Sequence, residues 1–301
     1  MNRNEALQQQ IRKLRLTSRR LIQTFGEGSF RTLFHGRGIE FATLREYVPG
    51  DDIRMIEWNT TARRGSPFVK TFMEERDLSV VLAVDLSGSM DLKWESILRI
   101  AAIVTTLASF LDDRIGCLGF TDRIDFFLPP VKKPTQPERI LHLLMQQRKP
   151  IRKTSLSDAL AFLTRVLKKH AILFVVSDFL DRNFQSALLP LAKKHEMVGV
   201  HLYHPAETGW KTSAVVDCQD PESGRRFLID GYDKTTRESY TKFFEEHHKR
   251  ITRAFGRAKA DLLMLPASPA VELQLIEFLR RRQSVRVPLQ QVIEAATPNL
   301  F

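Results

Sequence analysis

Leu78-Ser79-Val80-Val81-Leu82-Ala83-Val84-Asp85-Leu86-Ser87-Gly88-Ser89 is the stretch on which the fold of this chain turns. Residues 78–84 form a nearly continuous apolar run, as expected of a central parallel strand buried on both faces. The residues after it change chemistry. Asp85, Ser87 and Ser89 set a carboxylate and two hydroxyls on alternate positions around Gly88, in a loop that leads into a helical segment.

Downstream, helical patterning spans residues 93–111, 137–147, 155–170, 184–194, 235–259 and 269–282. Strands are expected over 114–120, 124–128, 171–176, 197–203 and 261–265. The first two of these form a hairpin turning at Thr121-Asp122-Arg123, and 215–216 with 226–229 form an edge hairpin around Pro221-Glu222-Ser223-Gly224. Strands alternating with helices predict an α/β fold: a doubly wound, mostly parallel sheet with helices on both faces. Upstream, residues 4–25 read as an amphipathic helix with Leu7, Ile11, Leu14, Leu21 and Phe25 on one stripe. The leading reading packs that stripe on the protein itself; a docking helix or a membrane-surface helix is the other. Residues 36–75, punctuated by Gly36, Gly38, Pro49-Gly50, Gly65 and Pro67, suggest a small β-rich unit. Four parts are expected: a basic helix (1–35), the β-rich unit (36–76), the α/β domain (77–282) and a C-terminal extension (283–301). In the extension Val285, Val287, Leu289, Val292 and Ile293 are apolar enough to dock.

Doubly wound sheets bind ligands at the carboxyl ends of their strands, so the residues following each buried strand matter most. After residues 78–84 come Asp85, Ser87 and Ser89; after 171–176 come Ser177 and Asp178; between them Thr154 opens the segment Ser155-Leu156-Ser157-Asp158. Two carboxylates and three hydroxyls are a hard oxygen set, of the kind Mg2+ takes while keeping several waters. Helix capping by Ser87, Ser89 and Asp178 is the plainer alternative, but capping does not explain the ordered set. The arrangement resembles the metal-ion-dependent adhesion site of von Willebrand factor A domains. By that resemblance Asp85, Ser87 and Ser89 are ligands from a first loop, Thr154 from a second and Asp178 from a third, with Mg2+ as the ion and Mn2+ or Ca2+ as substitutes. Arg152-Lys153 stand before Thr154 where the family often has glycines. Two cations beside a metal would weaken its binding or make it depend on a partner's carboxylate.

The flanks narrow the resemblance. Gly36-Arg37-Gly38-Ile39-Glu40-Phe41 is followed by Leu44-Arg45-Glu46-Tyr47-Val48-Pro49-Gly50-Asp51-Asp52-Ile53-Arg54, then Glu57-Trp58-Asn59, Ala62-Arg63 and Glu74-Glu75-Arg76-Asp77. With the Asp220-Pro221-Glu222-Ser223-Gly224 turn and Phe278-Leu279-Arg280-Arg281-Arg282, this string is similar to the domain-of-unknown-function 58 family, from about residue 36 to 282. Glu57 stands where the family usually has Asp. The resemblance implies a von Willebrand A-like fold, a MoxR-type AAA+ ATPase as partner, and a protein client contributing an Asp or Glu to the metal. Ion pairs among Arg45, Asp51, Asp52, Arg54 and Arg63 are read as pinning the β-rich unit to the α/β domain.

Composition excludes other classes. Hydrophobic residues make up 43% and charged residues 27% of the 301 residues, which argues against wholesale disorder. Cys117 and Cys218 form no C-x-x-C pair, which excludes a cysteine-built zinc site. No apolar run reaches the ~18 residues of a membrane span, and the N-terminus lacks an apolar leader core, so a cytoplasmic protein without a membrane span is expected. The net charge of +11 is concentrated at the ends, with +6 in residues 1–37 and +3 in residues 280–301. The basic N-terminal helix lacks interleaved aromatics for base stacking, so a nucleic-acid partner is disfavoured. An acidic protein surface suits the basic ends better. G-x-S-x-G, H-E-x-x-H and the phosphate-binding G-x-x-x-x-G-K-[ST] are all missing. His201 and His204 fall on opposite faces of a strand, and His247-His248 on a charged helix are expected to be solvated. A non-enzymatic, metal-dependent interaction module is therefore expected, with a purely structural metal site as the alternative.

Overall fold

A computed structural model describes residues 3–25, 43–51, 53, 56–71, 78–147, 152–209 and 213–286. The motif segments 36–41 and 74–77, Asp52, Arg54 and the extension beyond Arg286 lie outside the described residues. Ser79–Asp85 is a strand, here called β3, in which every residue is buried. It lies in the middle of a six-stranded sheet with β4 (Arg114–Phe120), β5 (Ile124–Val131), β6 (Ile172–Ser177), β7 (Glu196–Tyr203) and β10 (Asp261–Pro266). The order across the sheet is β10-β7-β6-β3-β4-β5. Within this sheet only β4 and β5 pair antiparallel. Strand β5 runs through Pro129 and Pro130, past the expected end at Leu128. A proline lacks the N–H a ladder needs, and an edge strand tolerates that loss.

Alternation along β3 sorts the core into two layers. Val80, Leu82 and Val84 pack with α3 (Trp94–Phe110), α4 (Gln136–Gln146) and α8 (Val271–Arg286) on one face. Val81 and Ala83 pack on the other with α5 (Leu156–Val166), α6 (Phe184–Lys194) and α7 (Lys234–Ala258). Each fully buried Val or Leu contributes about 1.5–3 kcal/mol relative to exposure, so a strand buried on both faces anchors both layers. Helix α5 stops at Val166, short of the expected His170, because Leu167 is already extended. Helix α8 runs on to Arg286, past the expected boundary at 282.

The N-terminal helix α1 (Arg3–Thr24) lies over the first layer. Ile11 and Ile22 are buried there, Leu7, Leu14, Leu21 and Phe25 pack beside them, and Arg15 pairs with Glu138 of α4. Arg12, Lys13, Arg19 and Arg20 stay exposed. Strands β1 (Thr43–Glu46) and β2 (Phe68–Thr71) form an antiparallel ladder. Between them Trp58–Arg64 is a short helix, α2, where the punctuation suggested strands alone. Gly65 ends it in the left-handed conformation (φ 73°), its N–H bonded to the Thr61 carbonyl, a stop that glycine makes without steric cost. The Arg45–Asp51 pair lies within this unit, 2.5 Å apart, and draws the Asp51 carboxyl below its ordinary pKa. Strands β8 (Val215–Gln219) and β9 (Arg226–Asp230) make the expected second hairpin.

Candidate metal centre

Counted within the large sheet, the strand order is 3-2-1-4-5-6, and it reverses between β3 and β6. The crevice for a ligand therefore opens at the carboxyl ends of those two strands. The register brings Val84 beside Val176 and Ser177 beside His201, so Asp85 and Ser177 end neighbouring strands.

Asp85 is fully buried and its two oxygens are shared among three segments. Oδ1 accepts the Ser87 N–H at 2.9 Å. Oδ2 accepts the Thr154 hydroxyl at 3.0 Å and the Ser177 hydroxyl at 2.7 Å. The Ser87 and Ser89 hydroxyl oxygens lie 3.2 Å apart, and Ser89 stands close enough to the Asp178 carboxylate to lower its pKa. Asp85, Ser87, Ser89 and Thr154 thus form one hydrogen-bonded set, with the Asp178 carboxylate close beside it. The Gly88 N–H donates to the Arg152 carbonyl at 2.8 Å, which ties the first loop to the segment carrying Thr154. Thr154 itself precedes α5 by two residues, where it was expected to open that helix; Ser155 holds the N-cap position.

Further residues belong to the centre beyond the five candidates. Lys93 is 1% exposed, with Nζ 3.1 Å from Asp178 Oδ2 and 2.9 Å from Glu207 Oε1. A cation at the start of α3 opposes the helix dipole, and that mismatch was a legible signal of an acidic partner. Glu207 is held by its own Oε2, which accepts the His204 N–H at 2.9 Å. Ser177, whose Oγ also accepts the Phe179 N–H at 3.0 Å, orients Asp85 from the next strand. His247, expected to be solvated, is buried: its Nε2–H donates to the Asp178 carbonyl at 2.7 Å, while Nδ1 accepts from Arg250 at 2.9 Å. The charged look of α7 misled because only one stripe of a helix faces the core. Phe179, directly after Asp178, sits at φ 55° without being glycine, an uncommon conformation that these bonds and its contacts with Phe184 and Phe255 hold in place.

Electrostatics divide the two central acids. Burial, then the charge of Asp178, pushes the Asp85 pKa up to about 6. Burial would also raise Asp178, but the Lys93 ammonium, together with Ser89 and the Leu180 N–H, outweighs it and holds that carboxyl below its ordinary value. Lys93 in turn is held above the ordinary lysine value by Asp178 and Glu207, against the effect of burial. A fourth acid lies close: Glu222, in the hairpin turn after β8, has its pKa pushed up to about 7 by burial, then by Asp178 and Asp85. Among the described residues, no three His, Cys, Asp or Glu side chains form a ready-made cage for a metal. Any cation here would rest on the hydroxyls of Ser87, Ser89 and Thr154 with Asp85 and Asp178. His201, buried beside Phe179 and His247, keeps a neutral ring, its pKa lowered to about 3 by burial and then by His247.

Comparisons with known proteins agree at the level of family. The model of the family described as "Protein of unknown function DUF58" matches residues 43–250. That range covers more than half of the chain, the five candidate residues and the Asp220–Gly224 turn, but not 36–42 or the Arg280–Arg282 run. The uncharacterized proteins Rv1480 of Mycobacterium tuberculosis and Mb1516 of Mycobacterium bovis are each 27% identical over 284 residues, 91% of this chain and 89% of theirs. Two solved structures align with 69% of the chain: the conserved hypothetical protein BatB from Bacteroides thetaiotaomicron (13% identity, TM-score 0.40, 98% of that chain) and an aerotolerance-related membrane protein from Bacteroides fragilis (10% identity, TM-score 0.43, 99% of that chain). Among the described residues no helix is long and apolar enough to cross a membrane.

Proposed function

The chain belongs to the DUF58 family, and we propose that it is a non-enzymatic, metal-dependent interaction module with a von Willebrand A-like α/β domain. The observation that carries the reading is the convergence of Asp85, Ser87, Ser89, Thr154 and Asp178, from three separate segments, at the point where the strand order reverses. The donor set suits a hard divalent ion. Its hydroxyls are neutral oxygen ligands, and around them stand the carboxylates of Asp85, Asp178, Glu207 and Glu222, of which Asp178 and Glu207 are paired with the buried Lys93. Among the described residues one carboxylate oxygen of Glu222 is buried without a hydrogen bond, a surplus of acid that a cation would relieve. In this reading Mg2+ is held by Ser87, Ser89 and Thr154, with Asp85 and Asp178 supplying charge. The ion's remaining position receives an Asp or Glu from a partner.

The partner in this proposal is a MoxR-type AAA+ ATPase in the cytoplasm, with the chain as adaptor while the ATPase remodels a client protein. The exposed basic face of α1 offers a second contact to an acidic surface. The test is a thermal-shift titration with Mg2+ and Mn2+. At free metal ten times Kd, wild type gains about 1.4 kcal/mol, a shift of a few degrees, and Asp85→Ala shows none. No shift in wild type defeats the metal centre. Co-purification with the ATPase should weaken in EDTA; retention in EDTA, with the thermal shift intact, would leave the metal a structural role only.

A further inference from the structure

The hairpin tip beside the centre carries a carboxylate aimed inward. The Asp220 N–H donates to the Arg225 carbonyl and the Gly224 N–H to the Asp220 carbonyl, both at 2.8 Å. Asp220 Oδ1 accepts the Glu222 N–H at 3.0 Å, and the Ser223 hydroxyl bonds the other carboxylate oxygen. The turn is thus held by its own bonds and presents Glu222 in a set place. It also lies directly on the candidate ligand loop. A Cβ built on Gly88 would stand 1.9 Å from the Pro221 carbonyl oxygen and 2.7 Å from its carbon. Only a glycine between Ser87 and Ser89 lets that backbone approach so closely.

Glu222 is the next residue. Its Oε1 is buried and finds no hydrogen-bond partner among the described residues. The charges that bear on it most are Asp178 and Asp85, then Asp220, with Lys153 acting weakly the other way. A glutamate at the tip of a surface hairpin has water within reach, and turning its oxygen inward gives up the hydrogen bonds that water would supply. An inward carboxylate beside two others needs a cation to offset that cost.

We propose that Glu222 is the chain's own carboxylate for the divalent ion, so that the β8–β9 hairpin closes the centre in cis and a partner's Asp or Glu must displace it. The inference rests on the metal-dependent reading above and names its regulation. Exchange of one carboxylate for another leaves the ion's charge balance unchanged, so the closed hairpin sets the partner's apparent affinity. If the hairpin stands open one part in a hundred, that affinity falls about 100-fold.

The experiment uses the full chain and Mn2+ alone, followed by N-acetylaspartate amide as a carboxylate probe at saturating Mn2+. Wild type, Glu222→Gln, Glu222→Asp and Asp85→Ala are compared by calorimetry and thermal melting, with circular dichroism confirming the fold of each. Wild type should bind Mn2+ and Asp85→Ala should not. Glu222→Gln should bind Mn2+ at least tenfold more weakly, melt higher than wild type without metal, and bind the probe more tightly once loaded. Glu222→Asp, which keeps the charge, should retain more of the Mn2+ affinity and keeps the test open should the amide variant misfold. Equal Mn2+ and probe affinities in wild type and both Glu222 variants would overturn the role of Glu222 and leave the metal centre standing. Absence of Mn2+ binding by wild type would overturn both.

Discussion

Lys93 shows how one side chain can govern a site without belonging to its motif. Its ammonium is buried between Asp178 and Glu207, so it joins the start of α3 to the ends of β6 and β7. Removing one member of a buried pair leaves the other charge without compensation, at a cost of about 3–5 kcal/mol. Lys93→Met, which keeps the stem but not the charge, should therefore lower the urea-unfolding free energy by about that amount in metal-free buffer. A loss under about 1 kcal/mol would show that the pair is not held in solution. Asp85 differs in kind: its oxygens are met by Ser87, Thr154 and Ser177, which are neutral donors, and burial then makes its charge expensive. The same motif thus contains one acid neutralised within the chain and one left needing a cation.

At the scale of elements, α1 combines two separable roles. Its apolar stripe, with Ile11 and Ile22 buried against the first helical layer, is structural, while Arg12, Lys13, Arg19 and Arg20 contact little but solvent. Ile22→Ala should destabilise the protein by about 2–5 kcal/mol through lost burial and the cavity left behind. Arg19→Glu and Arg20→Glu should each fall within about 0.5 kcal/mol of wild type in the same denaturation assay. If the charge reversals cost as much as the cavity, the basic face would be packed in solution and unavailable to a partner. The β8–β9 hairpin is the other element with a divided character. Its strands are mostly exposed, with Leu228 72% and Val215 57% accessible, whereas its tip presses on the Asp85–Ser89 loop.

For the molecule as a whole, the centre makes metal binding and pH interdependent. Folding raises the carboxyl pKa of Asp85 from 3.8 to about 6 and that of Glu222 from 4.5 to about 7. The folded state holds these protons more tightly than the unfolded chain. The stability they contribute is therefore full below about pH 4 and is lost as pH rises through 6 to 7. His201 and His195 act in the opposite sense. Their folded values are lowered from 6.5 to about 3 and about 4, so their contribution is lost as pH falls below 6.5. They belong to the protein with or without the ion and largely cancel in the difference. A divalent ion favours the ionised acids, so the Mg2+-induced rise in Tm should be larger at pH 8 than at pH 5. An equal rise at both values would place the ion away from Asp85 and Glu222.

The α/β alternation, the central strand and the five oxygen-bearing residues were all readable in one dimension. Period and composition report burial directly: a strand covered on both faces must be apolar throughout, and the polar residues after it can only be loop. Chain order also placed Asp85 and Asp178 at the ends of two strands of one sheet, with Thr154 between them ahead of a helix, where the carboxyl-edge rule brings them together. What only the tertiary structure decided is how the charges balance. Lys93, Glu207, Glu222 and His247 sit 8 to 162 residues from Asp85 in sequence, and no local pattern marks which lysine, glutamate or histidine of a charged segment turns inward. That choice depends on which stripe of α7 meets the sheet, where β7 ends, and how close the hairpin backbone can come to Gly88. Those are contacts between distant segments, and electrostatic energy depends on distance through space.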